Sequence, residues 1–293
     1  MRREPTPNRR NEDSEAGGRR TPLALVTGAS RGIGAGIART LAEKGCDLVL
    51  CCEKNRERLE ELAESLRSEF GTVICTCLGD VGDPGFAARL RREAEAFFAG
   101  ESEAESTDRV AEKNGTGNAG RASTVSGRTT FDGFDVLVCN AGISHVGLLS
   151  DMTDEQWDRI VAVNLSSCFY LAREFAPDMV RRKSGNIIFI SSMWGSRGAS
   201  CEVAYSATKG GVEAFTKALA KELAPSHVVV NAISCGVIDT DMNAGFSEEE
   251  RQDMREWIPA DRFGTPEDVG RAVAALLTTS YLTGQIIGVD GGV

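Results

Sequence analysis

The stretch Leu23-Ala-Leu-Val-Thr27-Gly28-Ala-Ser30-Arg31-Gly32-Ile33-Gly34 decides the fold. Leu23–Val26 is apolar without a polar break, as expected of a short strand buried on both faces. Three glycines follow at once, and Ile33, Ile37 and Leu41 then recur on one face of a helix that stops near Gly45. Strand, glycine turn and helix in that order let the backbone approach a pyrophosphate, with the positive helix end facing it. The spacing is Gly-x-x-x-Gly-x-Gly, not Gly-x-Gly-x-x-Gly. A tight turn without ligand is the plain alternative. Its place at the head of an alternating chain argues against that.

The alternation continues. Strand two is Asp47–Cys52, followed by an amphipathic helix over about 55–69. Strand three is Thr72–Leu78, ending in Gly79-Asp80-Val81, and a helix over 84–99 follows. Strand four, Val136–Cys139, runs into Asn140-Ala141-Gly142. A long helix then runs from Thr153 or Asp154 to about Arg181. Strand five is Asn186–Ser191, the next helix Tyr205–Ala224, and strand six Val228–Ile233. Polar, acidic Asp241–Ile258 reads as a flexible lid. A helix at 266–277 and a strand near Gln285–Val289 complete the count. Seven strands and six helices in alternation predict an α/β fold, a Rossmann-type doubly wound parallel sheet in a single domain.

Two segments break this rhythm. Residues 1–20 hold six arginines, four acids and two prolines, and read as a disordered tail. Residues 100–131 are rich in Glu, Ser, Thr, Gly and Asn, and read as an inserted surface loop within a domain spanning 21–293.

The chain of 293 residues has net charge -10, which argues against nucleic acid or an anionic membrane as partner. No apolar run approaches the ~20 residues that span a bilayer. The first twenty residues carry neither a secretory apolar core nor a transit-peptide composition, so a cytoplasmic location is expected. Nine cysteines without a Cys-x-x-Cys motif suggest buried free thiols rather than a metal site.

Chemistry concentrates in Ser192-Met-Trp194-Gly-Ser-Arg-Gly-Ala-Ser-Cys-Glu202-Val-Ala-Tyr205-Ser-Ala-Thr-Lys209. Tyr205 and Lys209 stand four apart on one helix face. A phenol titrates near ~10, and a neighbouring ammonium is expected to lower that value toward working pH. Ser192, after a buried strand, can donate to the same substrate oxygen.

These motifs together resemble the short-chain dehydrogenase/reductase family from about Thr21 to Val293. The resemblance implies a catalytic tetrad of Asn164, Ser192, Tyr205 and Lys209, with Asn164 anchoring a proton-relay water. It implies cofactor contacts from Gly28, Ser30, Arg31, Gly32, Ile33 and Gly34 in the first turn. It adds Asp80 and Val81 at the adenine, and Asn140, Ala141 and Gly142, with Cys139 in place of the family's first Asn. Tyr205, Lys209, Gly236, Ile238 and Thr240 complete the set, with Cys235 where the family usually has proline. At the end of strand two, Cys52 holds the position of the acid that selects NAD. Arg31 and Lys54 can face a 2′-phosphate, so NADPH is favoured over NADH, with Glu53 dissenting.

The family pattern implies reduction of a ketone. Arg262-Phe-Gly-Thr-Pro266 and the ending Thr283–Gly292 look like 3-oxoacyl-[acyl-carrier-protein] reductases. The segment Ser192–Tyr205 looks more like elongation factor P 5-aminopentanone reductases. The resemblance implies a ketone substrate, with acyl carrier protein and elongation factor P as the candidate protein carriers. His145, Trp194 and Glu202 are the candidate substrate contacts. The family's helix pairing implies a homotetramer. A non-catalytic dinucleotide-binding regulator is the alternative of another class.

Overall fold

A computed structural model describes residues 21–100, 131–243 and 245–293. The expected tail at 1–20 and all but the ends of the expected 100–131 loop lie outside the described residues. The described chain forms β1 (Leu23–Thr27), α1 (Gly32–Glu43), β2 (Asp47–Cys52), α2 (Arg56–Phe70), β3 (Ile74–Leu78) and α3 (Phe86–Ala99). After β4 (Val136–Cys139) come α4 (Asp154–Val161), a π-helical turn (Ala162–Ser166) and α5 (Ser167–Arg182). β5 (Gly185–Ser192) leads through α6 (Met193–Arg197) into α7 (Val203–Leu223) and β6 (Val228–Cys235). The chain closes with α8 (Glu248–Trp257), α9 (Pro266–Leu276) and β7 (Ile286–Val289).

All seven strands are parallel, in the order β3-β2-β1-β4-β5-β6-β7. The order reverses between β1 and β4, where a parallel α/β sheet opens its crevice. β1 shows why the strands read as unbroken apolar runs. Leu23 and Leu25 point into the core under α3, α5 and α7, with Phe86, Phe175 and Val212. Ala24 and Val26 point into the opposite core under α1, α2 and α9, with Ile37, Leu59 and Val273. Leu23, Leu25 and Val26, all fully buried, contribute about 1.5–3 kcal/mol each.

The expected α/β fold class is thus present, with shifted ends. β3 begins at Ile74 because Thr72 turns its hydroxyl to the Cys46 carbonyl and Val73 N–H donates to the Asp47 carboxylate at 3.1 Å. α3 begins at Phe86 because the Asp83 side chain takes the Gly85 N–H at 2.9 Å. α7 starts earlier than Tyr205, at Val203, and β6 continues to Cys235 by pairing with Ser192 and Val289. The segment expected as a lid, Asp241–Ile258, contains α8, opened by a Ser247–Glu250 capping box and without a buried residue of its own. α6 and α8 add to the six helices that cover the sheet. The expected long helix is interrupted by the π-helical turn that holds Asn164.

Candidate functional site

The C-terminal strand ends place the sequence-derived residues along one edge. At the end of β1, Gly28 adopts φ +65, and a Cβ there would stand 2.9 Å from the Ala141 Cα. A Cβ on Gly34 would stand 2.3 Å from the Gly28 carbonyl oxygen. Asn140 clamps this turn, its amide donating to the carbonyls of Thr27 at 2.8 Å and Gly28 at 3.2 Å. Thr27 answers by accepting from the backbone N–H groups of Asn140 at 3.0 Å and Ala141 at 3.1 Å. Thr27 is a positioning residue the sequence reading missed. Its signal was the lone hydroxyl ending an apolar strand.

Arg31 is the N-cap of α1 and gives no side-chain cap, and the first turn holds no acid. The N–H groups of that turn, beside glycines that admit close approach, fit a pyrophosphate. Ser30, Gly32 and Ile33 line the same turn, and Thr240 packs where a Gly32 Cβ would stand, 3.2 Å away. Ile238 is buried and bridges Gly264, while the Gly236 N–H donates to the Val289 carbonyl at 3.0 Å.

At the far end of the crevice, Asp80 accepts from Arg159 at 2.5 Å and from the Gly82 N–H at 2.8 Å. Its carboxyl sits below the usual range: burial pushes it up, but the Arg159 hydrogen bond and its other partners outweigh that. Val81 beside it is buried. Arg159 reaches Glu53 as well, at 3.3 Å, and Lys54 pairs with Glu53 at 3.0 Å. Lys54 is therefore turned to its own neighbour and largely exposed. Arg159 went unnoticed because only folding brings it to β2 and β3.

Asn164 is buried, and both ends of its amide are used. Its oxygen accepts from the Ile143 N–H at 2.9 Å. Its nitrogen donates to the Ile143 carbonyl at 2.9 Å and to Thr208 Oγ1 at 3.2 Å. The amide bonds the loop after β4, not its own helix. Gly142 sits above it, with Asn164 Oδ1 and Lys209 Nζ each 3.5 Å from where a Cβ would stand.

Ser192 caps α6, its oxygen accepting from the Trp194 N–H at 3.3 Å, which leaves the hydroxyl hydrogen to donate elsewhere. Tyr205 lies on the first turn of α7. Burial pushes its phenol up to about 12, against a downward pull from Ser192, and the charge of Glu202 adds to the rise. This corrects the expectation that the lysine lowers it. Lys209 Nζ donates to the Ile190 carbonyl at 2.8 Å and stands 5.6 Å from the Tyr205 ring centre, so desolvation of the phenol dominates. Desolvation also lowers the pKa of Lys209.

Ahead of α7, Glu202 accepts from the Ser144 hydroxyl at 3.1 Å. His145 is half-buried on the same loop. Trp194 stacks on Trp257 of α8, centroids 6.3 Å apart and planes 20° apart. Beneath Ser192, Glu213 is buried and accepts from Ser191 at 3.2 Å. Neither Trp257 nor Glu213 was singled out from sequence.

Two family models match, "short chain dehydrogenase" over 22–100 and "Enoyl-(Acyl carrier protein) reductase" over 118–293. An uncharacterized oxidoreductase, YmfI of Bacillus subtilis, is 36% identical, across 92% of this chain and 97% of its own. The 3-oxoacyl-[acyl-carrier-protein] reductase FabG of Aquifex aeolicus is also 36% identical, across 92% and 96%. A solved structure of a putative gluconate dehydrogenase from Agrobacterium tumefaciens superposes with a TM-score of 0.76 at 27% identity, covering 92% of this chain and 95% of the other. By fold, site layout and kinship the chain belongs to the short-chain dehydrogenase/reductase family and is an oxidoreductase of that family.

Proposed function

We propose that the chain is an NADPH-dependent carbonyl reductase that acts on a ketone carried by a protein, in the manner its acyl-carrier-protein reductase relatives are named for. The observation that carries this reading is the convergence of Ser192, Tyr205 and Lys209 at the crevice edge, beside an uncapped helix N-terminus. The Gly28–Gly34 turn would hold the pyrophosphate, Asp80 and Val81 the adenine end, and Asn140–Gly142 the middle. Gly236, Ile238 and Thr240 would close over the nicotinamide side. Bound NADPH supplies the hydride equivalent that reduces the carbonyl carbon.

The chain supplies the rest. Tyr205 holds a proton at its phenol oxygen and delivers it to the carbonyl oxygen, and Ser192 holds that oxygen by hydrogen bond. Lys209, fixed to β5, sets a positive charge beside the phenol as it gives up its proton. Asn164 locks the Ile143 loop against α7 and anchors the relay that restores the proton. NADPH oxidation with an acetoacetyl thioester, compared with NADH, tests the reading. No turnover with any ketone would favour the dinucleotide-binding regulator instead.

Glu202 favours a second reading. Among the described residues it has the Ser144 hydroxyl as partner and no ion pair, while standing three residues before Tyr205. A carboxylate facing a reacting carbonyl needs a compensating cation, and an amine-bearing ketone, as on a modified lysine of elongation factor P, would bring one.

Assembly is proposed to be a homotetramer. α5 exposes Phe169, which stacks with Arg173 at 4.7 Å, and α7 exposes Val203. Apolar groups left on these helices suit isologous contacts. A stable monomer by light scattering at micromolar concentration would remove the proposal.

A further inference from the structure

Arg58 was not among the sequence-derived contacts, yet the fold brings it to the crevice edge beside Arg31. β1 and β2 are adjacent parallel strands, so the helices that follow them begin side by side. Arg31 caps α1 and Arg58 sits in the first turn of α2, whose cap is Asn55, accepting from the Arg58 N–H at 3.1 Å. Both guanidiniums converge on one oxygen of one carboxylate. Arg31 Nη1 is 3.1 Å and Arg58 Nη1 is 2.9 Å from Asp241 Oδ2.

The arrangement differs from the other charge pairs at this end of the crevice. Glu53 and Asp80 are both held by Arg159, and Lys54 turns to Glu53. Those acids and that lysine are mutually engaged. Among the described residues, Arg31 and Arg58 pair with no acid of α1, β2 or α2, and take theirs from 210 and 183 residues away along the chain. Two like charges meeting at a point are stable only about an anion. Asp241 supplies it, and its carboxyl is held below the usual range by Arg58 first and Arg31 second. All three side chains are more than half exposed, so the contact is open to exchange with a ligand.

Resting on the NADPH reading, we infer that Arg31 and Arg58 together form the seat of the cofactor's 2′-phosphate, and that Asp241 is the seat's internal occupant, displaced when the phosphate arrives. The chemistry favours exchange. A phosphate monoester carries about −1.5 to −2 charges at neutral pH and three acceptor oxygens, where Asp241 brings one charge and one engaged oxygen. Cys52, buried with its thiol directed to the Asn55 carbonyl at 3.4 Å, offers no acid to bind a free 2′-hydroxyl instead. The displaced Asp241 begins the segment that leads to α8, so filling the seat removes that segment's ion pairs to Arg31 and Arg58.

The test is calorimetric, with adenosine 2′,5′-bisphosphate and 5′-AMP as probes on the full chain. The wild-type protein binds the bisphosphate more tightly. Arg58→Gln lowers that preference roughly ten-fold or more, the scale of a charged hydrogen bond, while Arg58→Lys restores part of it. Asp241→Asn tightens the bisphosphate and leaves 5′-AMP unchanged, because it removes a competitor of the phosphate alone. Thermal midpoints for each variant show that folding is intact. A wild-type preference that survives Arg58→Gln overturns the seat while leaving NADPH specificity standing. Asp241→Asn weakening the bisphosphate overturns the displacement. A wild-type protein without preference between the probes overturns this inference and the NADPH reading together.

Discussion

Lys209 donates to the main-chain carbonyl of Ile190 at 2.8 Å, which ties α7 to the strand that ends in Ser192. The ammonium is thus a buried strut as well as a charge 5.6 Å from the Tyr205 ring centre. Removing it and removing the phenol should therefore have different consequences.

Tyr205→Phe deletes the proposed proton donor and touches none of the glycine turn. Turnover is expected to fall by about 10²–10⁴-fold, with the NADPH dissociation constant within about two-fold of wild type. Lys209→Met leaves the Ile190 carbonyl without its donor, which costs about 1–3 kcal/mol of stability, and weakens cofactor binding as well as turnover. Single-turnover rates with fluorescence titration of NADPH separate the two. Equal cofactor affinities in both variants would refute the distinction.

The pH dependence follows from the phenol. Its folded value, about 12, lies above the ordinary value near ~10 because burial penalises the phenolate. Carbonyl reduction uses the protonated phenol, so its rate should not fall through ionisation of Tyr205 between about pH 6 and 9. Alcohol oxidation needs the phenolate and should rise roughly ten-fold per pH unit over the same range. For stability, the folded state keeps a proton that the unfolded chain releases, so the contribution is intact below about pH 10 and is lost as pH rises toward 12. Oxidation rates that are flat with pH would count against Tyr205 as the group concerned.

Glu202 allows a test of the substrate class. If the ketone carries an ammonium, Glu202→Gln should weaken kcat/KM by roughly 1.5–3 kcal/mol and leave a neutral ketone of similar length nearly unchanged. The same substitution removes a charge that raises the phenol, so the oxidation profile should shift toward lower pH. Equal losses on both ketones would reduce Glu202 to a loop-shaping residue.

Trp257 ties the end of α8 to the cleft through its stack on Trp194, while Arg251 of the same helix pairs with Asp239 at 2.9 Å and lies over the Phe263 ring. Trp257→Ala should remove about 0.5–1.5 kcal/mol of aromatic contact. Limited proteolysis within α8 should accelerate several-fold while the thermal midpoint moves by no more than about 2–4 °C. A slower cleavage, or none, would show that something else holds the helix.

The sheet was legible because each strand of its centre is covered on both sides, so composition alone marks it. Both the glycine turn and the Ser192–Tyr205–Lys209 spacing were legible for a similar reason, being local. What was not legible depends on contacts between distant segments. The π-helical turn at Ala162–Ser166 goes with an amide bonded to Ile143 and Thr208. Arg58 meets Asp241 across 183 positions. The direction of the Tyr205 shift was misread because spacing reveals a neighbouring charge but not the loss of water around the phenol.

The hidden cysteines give the molecule a built-in clock. Eight of the nine thiols are buried, distributed over both faces of the sheet, and Cys201 alone is half-exposed at a left-handed turn. Burial pushes Cys51 and Cys235 up to about 12, which leaves almost no thiolate to react while the chain is folded. With an excess of a thiol-specific reagent, Cys201 should label at once and the others only when the structure opens around them. The later, slower labelling then reports how often each region opens. Cys46 and Cys52 would report on the layer beneath α1 and α2, and Cys139 and Cys168 on the opposite layer. Mass spectrometry of the labelled peptides would show whether the two layers open together or in turn, without a single engineered probe.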